Sequence, residues 1–172
     1  MKFLEDAVRE AIPAPAEVEL INKPDWSASA PPLVAEFKIK VTGWATGAGR
    51  RSLVPVGLFS AQEKRVFEHA NRVHPIYMRY PFEIIDDVMI EVPAGWQLGS
   101  LPPAKEQPGH VVAYTLKVDD NRGKIHVSRD LNVNFVLLET KYYSPLRSFF
   151  QSVKAGDEEQ IVLQPGTASA SN

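Results

Sequence analysis

The 172-residue chain contains no cysteine. That absence excludes a disulfide, a thiolate metal site, an iron–sulfur cluster and a cysteine nucleophile within these residues. An excess of charge of either sign is also missing: 19 Lys and Arg stand against 21 Asp and Glu, a formal net charge of −2 and a pI near 6.1. Such a balance gives no long-range attraction to phosphate backbones or anionic lipid, so nucleic acid is not an expected partner. Long apolar runs are lacking as well. Stretches such as Phe135-Val136-Leu137-Leu138 fall far short of the roughly 20 residues that cross a bilayer, and no membrane-spanning segment is expected. The opening MKFLEDAVREAI sets acids among its apolar positions, unlike the basic-then-apolar plan of a secretory signal.

What remains is 44% apolar residues with 14 Pro and 10 Gly, material for a soluble globular domain with a buried core. Phe3, Leu4, Ala7, Val8, Ala11 and Ile12 recur at helical spacing and stop at Pro13, which predicts a short amphipathic helix. Nothing caps its first turn, and we expect the chain to be cut from something longer. Val18, Leu20 and Ile21 predict a strand. Leu33 to Thr42 alternates Leu33, Ala35, Phe37, Ile39 and Val41 against Glu36, Lys38, Lys40 and Thr42, the signature of an antiparallel sheet with one wet face. Further strands are expected at Ser52–Leu58, Ile76–Tyr80, Asp87–Val92 and Val111–Val118, with Gly43–Arg51 and Pro93–Gly109 as connections and Ala61–Pro75 as a long loop. Asp119–Gly123 reads as a hairpin turn into a long arm, Lys124–Leu137, with a bulge or bend expected near its middle. A second helix is predicted with Ser144 as its N-cap, Pro145 at its first position and Gly156 just past its end. Its stripe is Leu146, Phe149, Phe150 and Val153, continued backward by Tyr142. A last strand, Gln160–Leu163, precedes a small polar tail.

Candidate chemistry is sparse. His69 and His74 beside Glu68 could form a metal or acid–base site, but the spacing matches no zinc pattern, and hydrogen-bonded or surface histidine is the plainer reading. No serine has the glycine surroundings of a nucleophile elbow. Gly43, Gly47 and Gly49 fit neither a Walker nor a dinucleotide fingerprint. The acid pairs Asp86-Asp87, Asp119-Asp120 and Glu158-Glu159 could serve glycoside cleavage or calcium, yet adjacent acids on a strand point to opposite faces, and solvated charge is expected. Trp26, Trp44 and Trp96 fall next to Gly or Pro in apparent loops. They offer either a platform for a sugar or peptide or caps on the ends of a β core.

Several segments recur in a fixed order: LVAEF from Leu33, RSLVPVGLF from Arg51, FEH from Phe67, YPFEIIDDVMIEVPAG from Tyr80, SLP from Ser100 and KYYSPLRSFFQSVKAGDEEQIVL from Lys141. In this order they resemble the C-terminal β-rich region of large bacterial proteins that carry a β-rich domain of unknown function followed by a transglutaminase-like, papain-like core. The resemblance implies that the catalytic apparatus of such a parent lies upstream, and it implies a periplasmic or cell-envelope setting. No catalytic residue is carried over to this chain.

The expected fold is α+β and mainly β: an antiparallel β-sandwich-like body with a short N-terminal helix and a second helix near the C-terminus. Residues 1–13 are expected to form a linker helix, 14–164 a β-rich accessory domain and 165–172 a disordered tail. The expected role is non-catalytic, with no metal and no cofactor: packing against the upstream transglutaminase-like domain through Phe3, Leu4, Val8 and Ile12. The alternative is a carbohydrate- or peptide-binding module using Trp26, Trp44 and Trp96.

Overall fold

The computed structural model describes residues 2–12, 14–27, 29–57, 60, 65–121 and 123–166. In chain order the elements are α1 (Lys2–Ala11), β1 (Ala16–Leu20), β2 (Phe37–Val41), β3 (Thr46–Ala48), β4 (Arg51–Pro55), β5 (Ile76–Tyr77), β6 (Phe82–Glu91), β7 (Trp96–Ser100), β8 (Lys105–Gln107), β9 (Val112–Asn121), β10 (Lys124–Val133), β11 (Leu137–Leu138), α2 (Tyr143–Asp157) and β12 (Gln160–Pro165).

The first three elements form a small unit. Helix α1 packs on β1, which pairs antiparallel with β2 from Ala16↔Val41 to Leu20↔Phe37. The Glu5 carboxylate accepts a 3.0 Å bond from the Leu20 N–H, tying helix to strand. Strand β2 starts at Phe37 rather than at Leu33. Ahead of Phe37 the side-chain amide of Asn22 replaces the ladder: it donates to Val34 O and accepts from Glu36 N. Leu33 and Val34 are left exposed.

The main body has two four-stranded antiparallel sheets, ordered β6-β10-β9-β8 and β3-β4-β12-β7. Strand β10 shows why they form a core. Its odd-numbered residues Ile125, Val127, Arg129, Leu131 and Val133 are all buried, while Lys124 is exposed and the other even ones stay half-exposed. Tyr114, Leu116 and Val118 of β9, Ile161 and Leu163 of β12, Val54 of β4 and the α2 stripe join them in one core. The mainly β, antiparallel, sandwich-like body with its two helices is therefore the architecture that the patterning predicts. The hairpin at Asn121–Lys124 is tight, and Gly123 there has the positive φ of 86° that such turns require.

Several local expectations are corrected. The connection Pro93–Gly109 contains β7 and β8, so Trp96 lies in a strand. The arm from Lys124 has no bulge at its middle: β10 pairs in unbroken register with both neighbours to Val133. The chain leaves the sheet after that point, and Leu137-Leu138 pairs with β5. Strand β5 is limited to Ile76–Tyr77 by the length of that partner. Helix α2 starts at Tyr143, because a 3₁₀ turn, Thr140–Tyr142, runs directly into it. Ser144 is thus inside the helix instead of capping it. Pro145 sits in the first turn, where its missing N–H costs nothing. Tyr143 rather than Tyr142 is the buried tyrosine. Gly156 lies inside the helix, which closes through the Glu158 N–H to Lys154 O. Strand β12 runs on to Pro165, and the Gly166 N–H bonds to Gly95 O. The rest of the tail, 167–172, lies outside the described residues, as do Pro13, Leu58 and residues 61–64 of the expected loop.

Candidate functional site

The parity of β10 points Arg129 into the core, where it is 2% exposed. Its register partner on β6 is Asp86, and the last turn of α2 supplies Asp157, itself 3% exposed. The guanidinium donates through Nε to Asp157 Oδ1 at 2.6 Å and through Nη2 to Oδ2 at 2.8 Å, a bidentate pair. Nη1 donates to Asp86 Oδ2 at 3.1 Å, and the Tyr114 hydroxyl donates to Asp157 Oδ1 at 2.9 Å. The Tyr114 ring also lies 5.8 Å from the guanidinium carbon. Burial, and then the Asp157 charge and hydrogen bond, push the Tyr114 hydroxyl above its ordinary value. Burial acts to lower Arg129, but the bonds and charge of Asp157, with Asp86 behind, outweigh it and hold the guanidinium above the usual arginine range. A carboxylate in the last turn of a helix opposes the macrodipole, so Asp157 belongs here because of Arg129.

Gly156 makes the approach possible. A Cβ at this position would stand 3.0 Å from two ring carbons of Tyr114 and closer still to its hydroxyl oxygen. The network therefore needs a glycine beside its aspartate. The sequence carries half of this signal: Ile125, Val127, Leu131 and Val133 alternate, which sets Arg129 at an inward position of an otherwise apolar strand face. Asp86 and Asp87 are expected from the sequence to be solvated charge. The strand does send them to opposite faces, but Asp86 turns in to Arg129, while Asp87 turns out to His126 at 2.9 Å.

Beside the network is a cleft of about 610 Å³ between α2, the β6–β10 end of the sheet and the segment 65–68. Phe67, Phe82, Ile84, Leu131 and Phe150 give it apolar walls, and Arg65, Glu68, Arg147 and Glu158 lie around it, with Asp157 among its lining. The segment is clamped to α2. Arg147 Nε donates to Phe67 O at 3.1 Å, and the Tyr143 hydroxyl donates to His69 O at 2.6 Å. The Phe67 ring meets Phe150 and Tyr143 at 5.2 and 5.9 Å. These contacts hold Phe67 at φ 57°, a left-handed conformation that costs a bulky residue about 1–3 kcal/mol. Ser60, 4% exposed, also lines the cleft, and its hydroxyl has no hydrogen-bond partner among the described residues. The volume is in the range of ligand pockets, and the walls suit an apolar group; the one buried carboxylate is engaged by Arg129 and Tyr114.

A family model described as "Domain of Unknown Function with solved-structure structure (DUF3858)" matches residues 50–163. The chain belongs to the DUF3858 family. The DUF3858 match takes in both four-stranded sheets except β3 and the end of β12, together with α2, the Arg129 network and the cleft; α1, β1 and β2 lie outside it. No curated protein matches the chain. Among solved structures, a 2.00 Å crystal structure of "a putative protease" from Parabacteroides distasonis ATCC 8503 is similar over 56% of this chain at 14% identity, with a TM-score of 0.49. The chain spans 19% of the length of that protein.

The residues singled out in the DUF3858 sequence are dispersed. On α1, Phe3 is 59% exposed, Leu4 and Val8 are half-buried, and Ile12 beyond the helix end is buried. Trp26 is 57% exposed and its ring lies 5.7 Å from that of Phe3. Trp44 packs against the core, and Trp96 is 38% exposed on β7. Among the described residues no ring contact joins two of the three tryptophans. Glu68, His69 and His74 are all exposed, and Tyr143 and Arg72 bond to the backbone carbonyls of the two histidines, not to their rings. No grouping of three or more His, Asp or Glu able to hold a metal ion occurs among the described residues. Among the described residues no helix is long and apolar enough to cross a membrane.

Proposed function

We propose that this chain is a non-catalytic accessory module of a larger protein, and that it packs through residues 2–42 against a transglutaminase-like core in the same polypeptide, in the cell envelope. The supporting observation is the apolar surface of that unit. Phe3, Ile21, Trp26, Leu33 and Val34 are each more than half exposed, while Ile12 and Pro24 are the unit's buried residues among those described. A scattered exposed leucine needs no explanation, but five large apolar side chains within one small unit mark a docking face. The ring pair Phe3–Trp26 gives that face an aromatic anchor, the residue type that dominates interface energetics. The family-matched region builds a core of its own, to which no buried residue of the N-terminal unit belongs.

The test compares three forms of the parent polypeptide: unaltered, carrying Phe3→Ser with Trp26→Ser, and lacking residues 2–42. Expected is a lower melting temperature of the catalytic core and faster proteolysis at its junction with this module, in both altered forms. Unchanged core melting, secretion and activity on deletion of residues 2–42 would overturn the proposal.

A further inference from the structure

We propose that the free edge of β6 is a docking site for an extended peptide strand that carries basic residues at every fourth position. Strand β6 is a ten-residue edge of its sheet, paired on one side with β10 and, among the described residues, with no strand on the other. A long edge presents a row of backbone donors and acceptors ready for another strand. Its side chains say which strand fits. The outward face reads Glu83, Ile85, Asp87, Met89, Glu91, so carboxylates recur at every fourth residue with exposed apolar groups between them. Glu91 meets Lys124, but Glu83 is met by Asn132 and Asp87 by His126, so neither faces a Lys or Arg on β10. The strand itself carries four acids and no base. On the inward face, Phe82 and Ile84 line the apolar cleft beside α2.

A second copy of this chain meets like charges in three of the four most central registers. Antiparallel self-pairing centred on Ile85 sets Glu83 opposite Asp87. Centred on Asp86 or Asp87 it sets that aspartate opposite itself, and the Asp87 register adds Glu83 opposite Glu91. Like charges directly opposite are destabilising. A partner with Lys or Arg opposite Glu83 and Asp87, and Val, Ile or Leu at the intervening inward positions, turns each of these clashes into a pair and places apolar side chains at the cleft. This inference stands apart from the docking face assigned to residues 2–42, since no residue is shared.

The probes are two fluorescein-labelled nonapeptides, KVTIKVTIK and its acidic counterpart EVTIEVTIE, titrated by anisotropy into the full 172-residue chain at low and high salt. The basic peptide should bind at least about tenfold more tightly, with the advantage shrinking in salt. The double variant Glu83→Lys with Asp87→Lys should reverse the preference. Hydrogen exchange on the unaltered protein should show slowed amides in 82–91 when the basic peptide is present, a readout that does not depend on the variant folding. Equal binding of the two peptides would refute the inference, as would an unreversed preference in the folded variant, or basic-peptide binding that leaves the 82–91 amides unprotected.

Discussion

Removing the Asp157 carboxylate tests whether the buried network holds the fold together. In Asp157→Ala, Arg129 loses its bonds at 2.6 and 2.8 Å and keeps Asp86 at 3.1 Å, while the Tyr114 hydroxyl, in a side chain 1% exposed, loses its acceptor. Breaking a buried pair from one side costs about 3–5 kcal/mol, because the remaining charge stays desolvated. Two effects oppose this. An acid in the last turn of a helix is unfavourable by about 0.3–1 kcal/mol, and alanine is the better helix former by up to about 0.7 kcal/mol. The net expectation is a loss of about 2–4 kcal/mol, or a drop in melting temperature of roughly 5–15 °C for a chain of this size.

Urea denaturation followed by circular dichroism at neutral pH measures it directly, as a lower midpoint at unchanged slope. The double variant Arg129→Met with Asp157→Leu separates a pair that stabilises from one that is merely required once half of it is present. It should recover at least about 2 kcal/mol relative to the sum of the single changes, since apolar groups of similar volume replace two buried charges. Salt should hardly alter the single-variant loss, because a pair this buried is poorly screened. A loss below about 1 kcal/mol in Asp157→Ala, or strict additivity in the double variant, would refute the assignment.

Two further outcomes follow from the same residues. Gly156→Ala gains about 1 kcal/mol of helix propensity, yet its Cβ meets Tyr114 ring carbons at 3.0 Å and a hydroxyl held by Asp157, so overpacking of about 1–3 kcal/mol prevails and the urea midpoint falls; a midpoint that rises would show that the ring moves freely. Tyr114 is raised in the folded state by burial and by Asp157, so its contribution is fully present below the unfolded value of about 10 and is lost as pH climbs toward the folded value. Urea midpoints should therefore fall above about pH 10 in the unaltered chain and less steeply in Tyr114→Phe; parallel slopes would count against the raised hydroxyl.

The legibility of this fold from its sequence depended on how local each signal was. The alternation of Ile125, Val127, Leu131 and Val133 is set by one strand lying on one core, so period two alone placed β10 and its inward face. Strand β7 had no such signal. It exists because β12, remote in sequence, pairs with it. Its Gly99 reads as a loop residue, yet in the fold it is a close-approach residue: a Cβ there would lie 3.1 Å from Val162 O. The start of α2 departs from the sequence signal for a related reason, since Ser144 and Pro145 are strong end signals only if no helical turn precedes them, and Thr140–Tyr142 supplies one.

The network follows the same rule, and only half of it is visible in the sequence. Strand parity is local and sends Arg129 inward; nothing local links it to Asp157 on a helix that the chain reaches only after leaving the sheet. Once formed, that link does more than neutralise a charge. Arg129 on β10 grips β6 through Asp86 and α2 through Asp157, and Asp157 is also part of the cleft wall. The spacing between α2 and the β6–β10 end of the sheet, which is the width of the cleft, is therefore set by one guanidinium. A polar cluster in this position acts by fixing geometry: its groups are turned toward one another, and what stands beside it is the shape of the apolar walls and the acidic edge of β6.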